Sequence, residues 1–123
     1  MSMTTLLRCV YIVELSFVLM HEMDAVHWKE WRIFGFKDDE AGLKIFVAAH
    51  LPLYLLLLVS LLEIGSLFGT IVSISVSAFL IVHFYLHLKA LSVGLFKTVF
   101  SFGIVSCIGL LAIGQLILAV LCF

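Results

Sequence analysis

The chain has 123 residues, of which 64% are hydrophobic and 12% charged, far from the soluble balance of about half apolar and a quarter charged. That composition excludes a water-soluble globule, and a formal charge of −1 gives no electrostatic case for a nucleic-acid partner. A bilayer core of roughly 30 Å takes about 20 residues of helix per crossing, so the expectation is an all-α, polytopic membrane protein: a four-transmembrane-helix bundle making one transmembrane domain over residues 1–123.

The first span is predicted at about 4–23, with Arg8 near its start and Glu14 inside it. No A-x-A-like cleavage site follows, so this run reads as a retained span and not as a signal peptide. A polar connection at about 24–42 carries Lys29, Arg32 and Lys37 interleaved with Glu30, Asp38 and Asp39, a pattern that reads as a solvated loop. The second span, about 43–64, contains Pro52, which is expected to kink the helix or mark an irregular start. Gly65, Ser66 and Gly69 make a short turn. The third span, about 67–88, is rich in serine and β-branched residues, yet its length and apolar context favour a helix over a strand. A mildly basic connection from Lys89 to Lys97 leads to the fourth span, about 99–123, which has no charged residue. No segment shows the alternating polarity of a transmembrane barrel.

Basic residues set the expected orientation, because Lys and Arg near span ends are retained on the cytoplasmic side. Lys29, Arg32, Lys37, Lys44, Lys89 and Lys97 fall on one side and Arg8 alone on the other. The chain is therefore expected as a multi-pass cell-membrane protein with both termini extracytoplasmic and the first connection cytoplasmic. Trp28 and Trp31 then fall at the interface that tryptophan favours.

Histidines and carboxylates are the groups able to carry chemistry. At a rise of about 1.5 Å per residue, His21 lies roughly 12 Å before Lys29, His50 roughly 9 Å after Lys44 and His83 roughly 9 Å before Lys89. Three helices thus bring histidine to a similar depth in the cytoplasmic half of the bundle. Glu14, His21 and Trp28 share a stripe, with Asp24 about 60° from His21 and His27 about 120° away, on the outside. His83 and His87, four apart, share a face. The candidate metal ligands are His21, Asp24, His50, His83 and His87, and the candidate catalytic groups are Glu14 and Asp24. Imidazole and carboxylate donors suit Zn, Fe, Mn or Cu; a haem held by His50 with His83 or His87 is a variant.

A blander reading stands beside each assignment. A lone histidine serves as a hydrogen-bonded interfacial residue, and neither an HExxH nor an ExxH pair is present. Glu22 lies on a different face and ends the span. Glu14 is either a proton relay or half of an interhelical hydrogen bond. Glu63 reaches water at the far end of the second span, and Ser73, Ser75 and Ser77 serve close packing. Cys9, Cys107 and Cys122 lack metal-like or redox-like spacing and read as packing residues; a bridge between Cys9 and Cys122 is conceivable only if both reach one outer surface.

The run His21-Glu22-Met23-Asp24-Ala25, followed by Trp28-Lys29-Glu30-Trp31 and Phe34-Gly35, resembles a family of small, predicted four-helix bacterial membrane proteins of unknown function. The wider group of HXXEE-type membrane proteins also carries histidine and acidic residues at helix ends, although the HxxEE string itself is missing here. The resemblance implies an architecture and a site, and no activity. Two readings follow. One is a metal-dependent membrane enzyme acting on a lipid or other apolar substrate. The other is a non-enzymatic subunit or small carrier, in which Gly103, Gly109 and Gly114 let the fourth helix approach a homo-oligomeric or foreign partner.

Overall fold

A computed structural model describes residues 2–92 and 98–122. Among the described residues there are four long helices, α1 (Met3–Trp28), α2 (Glu40–Glu63), α3 (Leu67–Ser92) and α4 (Val99–Leu121), with a short 3-10 helix at Glu30–Phe34 between α1 and α2. All four are long and apolar enough to cross a membrane. Lys97 and the rest of the segment 93–97 lie outside the described residues.

Each boundary has a local cause. Ser2, Asp39 and Thr98 cap α1, α2 and α4, their side-chain oxygens accepting from the backbone N–H of Thr5, Gly42 and Ser101, which satisfies donors that a helix start leaves unpaired. The first helix does not stop at Met23. It runs through His21-Glu22-Met23-Asp24 to Trp28 and ends where Lys29 turns left-handed at φ 57°, a conformation typical of helix C-termini. Pro52 lies well inside α2 and not at its start, and Gly65, at φ 106°, makes the tight reversal into α3 for which a side chain would be strained.

Neighbouring helices run antiparallel in ring order, with α4 packed closely against α1 and α3 and α2 attached more loosely, mainly to α3. On α1 the buried residues Leu7, Tyr11, Glu14, Val18, His21 and Ala25 recur at intervals of four and three, the seam of a packed helix bundle. Gly109 of α4 lies against the Phe84 ring, so a glycine is what lets α3 and α4 approach. The outside is apolar on every helix, with Leu19, Leu58, Val82 and Leu110 among its exposed residues; so continuous an apolar surface marks contact with lipid or protein.

A candidate metal centre beside an apolar cavity

His21 on α1 and His83 and His87 on α3 meet across the diagonal of the bundle. Their main chains do not touch, so side chains alone bridge the gap. Nε2 of His21 lies 3.0 Å from Nε2 of His83, and the His87 ring stands edge-on to His21 at 4.9 Å and to His83 at 4.4 Å between centroids. One ring nitrogen from each of the three falls within 4.8 Å of the others. The stripe on α1 and the i, i+4 face on α3 are what aim them at one point.

The connection between α1 and α2 adds a carboxylate. After the left-handed Lys29 the chain doubles back, and Glu30 Oε2 reaches 3.7 Å from Nε2 of both His21 and His87. Trp31, buried against Phe46, donates its indole N–H to the Lys37 carbonyl at 3.0 Å, and Lys29 pairs with Asp38 at 2.7 Å. Glu30 is thereby held inward on a fastened loop. Burial first, and then the charges of Asp24 and Glu22, push its carboxyl up to about 7, since a desolvated carboxylate among like charges resists ionisation.

His50 belongs to a different pair. Its Nδ1 lies 2.6 Å from the Phe46 carbonyl, which can only accept, so Nδ1 carries the proton. Its Nε2 lies 2.8 Å from Glu22 Oε2, at ion-pair distance. Glu22 therefore does more than end the span. Asp24 stays near enough to act on Glu30, with Oδ2 buried and unpartnered, but outside the three-histidine group. Glu14 is two turns away along α1. His27 is exposed, edge-on to Trp28, on the outside as its angle requires.

Between these groups lies a cavity of about 510 Å³, within the size range of small-molecule sites. His21, Glu22, Glu30, His50 and His83 line one end, while Leu53, Leu57, Val76 and Leu80 make the body of its apolar wall. Ala49, Leu56, Ser75 and Phe79 also line it and are exposed, so it opens sideways between α2 and α3, on the apolar outside of the bundle.

Two acidic residues of the site, Glu22 and Glu30, are ones the sequence reading set aside. Both stand inside the HEMDA and WKEW segments, which was the available signal. The cysteines are all unpaired, with Cys9 exposed. No curated protein and no solved structure matches the chain. A family model matches residues 7–121, nearly the whole bundle, and by it the chain belongs to the group described as a family of unknown function (DUF6713).

Proposed function

We propose that this is a membrane-embedded, metal-dependent protein whose centre is held by His21, His83 and His87 with Glu30 as fourth ligand, and which acts on a lipid or other apolar molecule lodged in the adjoining cavity. The observation that carries this reading is the convergence of three imidazoles and one carboxylate at ligand spacing. Two nitrogens bound to one tetrahedral zinc at 2.0–2.1 Å stand about 3.3 Å apart, close to the 3.0 Å between His21 and His83. A His/carboxylate set of this kind suits Zn, Fe or Mn, and also Cu. Bundle proteins commonly build metal centres from side chains on facing helices.

The metal would polarise a carbonyl or activate a water. Asp24 stands beside Glu30, and the Glu22–His50 pair faces the substrate at the same end of the cavity. Among the described residues, no Lys or Arg lines the cavity, which disfavours a phosphate head group as the recognised element and favours a neutral one. The sideways opening fits a substrate that arrives from the bilayer. In this reading both termini are extracytoplasmic and the metal lies toward the cytoplasmic face, where the basic connection sits.

A second reading, a non-enzymatic subunit or carrier, draws support from Gly103 and Gly114 of α4. Both face open space and leave room for another helix.

Elemental analysis of untagged, detergent-purified protein tests the first reading. Near-stoichiometric metal is expected in the wild type and is lost in His21→Ala and His83→Ala, with helix content retained by circular dichroism. Folded wild type that holds no metal even after reconstitution overturns it. A Soret band would instead assign the histidines to haem.

A further inference from the structure

Away from the histidines, a second group of buried polar side chains occupies the half of the bundle nearer the termini. Glu14 of α1, Ser60 of α2, Ser73 of α3 and Gln115 of α4 are each at most 2% exposed. Glu14 Oε1, Ser73 Oγ and Gln115 Oε1 lack a hydrogen-bond partner, whereas Ser60 meets the Tyr11 side chain. Each of the four helices contributes one of these buried side chains. Orphaned polar atoms cost free energy in an apolar interior and call for a water, an ion or a functional role.

The register puts Glu14, Ser73 and Gln115 in one layer. His21 and His83 are 62 residues apart, an offset that sets Glu14 level with Val76, within a turn of Ser73. Gln115 is fixed at the height of Ser73 by donating Nε2–H to its carbonyl at 3.4 Å, which leaves Oε1 free. Tyr11 is fixed at the height of Leu57 by donating to its carbonyl at 3.0 Å, one turn from Ser60. Glu14, Ser73 and Gln115 therefore fall within about one helical pitch, 5.4 Å, and burial turns them inward, whereas Ser60 lies about 9 Å from Glu14 along the axis. Tyr11 lies beside both Ser60 and Glu14, with its own proton committed to Leu57.

The chemistry of the layer is one-sided. It offers a carboxylate, a carboxamide oxygen and a hydroxyl oxygen, with no cationic side chain among the described residues to balance them. The basic residue of this half, Arg8, is turned to the Ile64 carbonyl at 2.7 Å. A proton on Glu14 would neutralise the carboxylate but satisfy one further oxygen at most. A small hard cation engages several oxygens together, and a single carboxylate balances one positive charge, whereas a divalent ion would leave a net charge buried. We propose that Glu14, Gln115 and Ser73 form a second binding site, separate from the histidine centre, for a monovalent cation of the size of sodium, which exchanges with a proton on Glu14.

Labelling of detergent-purified protein by a hydrophobic carbodiimide, which modifies protonated carboxyls in apolar surroundings, reads this exchange directly. The expected result is a mass increase mapped to Glu14 whose rate falls by about tenfold or more in sodium chloride relative to choline chloride at equal ionic strength, an effect of roughly 1.4 kcal/mol. Ser73→Ala and Gln115→Ala should shift the protecting sodium concentration upward by a similar factor, and His83→Ala should leave it unchanged. Labelling that ignores sodium would reduce the site to a protonated carboxyl among waters and overturn the proposal. Folded protein that resists labelling without sodium would overturn it too, by showing Glu14 locked in a structural hydrogen bond. Because sodium protection is read without metal at the histidines, loss of the metal centre leaves this test intact.

Discussion

The second and fourth helices are both strongly apolar, yet they pack in opposite ways. In the most apolar stretch of α4, 39% of residues are buried inside the bundle, against 17% for α2. Small residues make the difference. Gly109 and Ala112, with Ser101, sit on the inner face of α4 and let it close against α1 and α3, whereas α2 presents Leu53 and Leu57 and stands further off. Without a hydrophobic drive between helices in lipid, close approach depends on such small residues. The tight side therefore supplies rigidity, and the loose side supplies the cavity in which the histidines lie.

The contrast is broken most severely at Gly109, where an added Cβ would come within 2.5 Å of the Phe84 ring. Gly109→Leu should cost about 3 kcal/mol or more through overpacking, read as a loss of thermal or denaturant stability in detergent. Gly103→Leu, on the open outer face, should change the stability of an isolated chain by less than about 0.5 kcal/mol. A large effect of Gly103→Leu on oligomeric state would favour the subunit reading.

A moderate effect is expected at Glu30. Glu30→Gln keeps the shape and removes the charge, so metal affinity should fall by about 10–100-fold, measured by competition with a chromophoric chelator. The same variant sharpens the pH behaviour of the metal-free protein. A carboxyl pushed up to about 7 in the fold is easier to protonate there than in the unfolded chain. Its contribution is full below the ordinary carboxyl range of about 4.3 and is lost as pH rises through about 7. Metal-free wild type should accordingly lose stability over that window, and Glu30→Gln should flatten the loss.

The smallest effect on stability is expected in the loose half itself. Ala49→Phe places a ring at the mouth of the cavity, where Ala49 is exposed. Stability should move by less than about 0.5 kcal/mol, while protection of the cavity by a diazirine-bearing fatty alcohol, read as crosslinking to α2 or α3, should drop. Unchanged crosslinking would mean that the probe lies elsewhere.

Much of this arrangement was legible in the residues. Apolar runs located all four helices, depth brought His21 level with His83, and the i, i+4 spacing set His87 on the same face as His83. Charge misled at the edges of elements: the polar residues after Met23 look like loop, but on the last turn of α1 they can point to water or to one another without leaving the helix. Depth alone joined His50 to the other histidines, and depth does not say which wall of a cavity a side chain occupies. Glu30 was out of reach for another reason. Its place depends on a chain reversal at Lys29 and on the burial of Trp31, and neither shows in helical periodicity.

Trp31 gives that reversal a mechanical meaning. Its indole is wedged beside the first turn of α2, where Gly42 is so close to the Lys37 carbonyl that no side chain would fit, and Glu30 is the very next residue toward α1. An anionic group in the interior is thus braced from the aqueous side by an aromatic peg in a glycine notch. Loosening the peg, with every histidine untouched, would let the carboxylate swing out toward water.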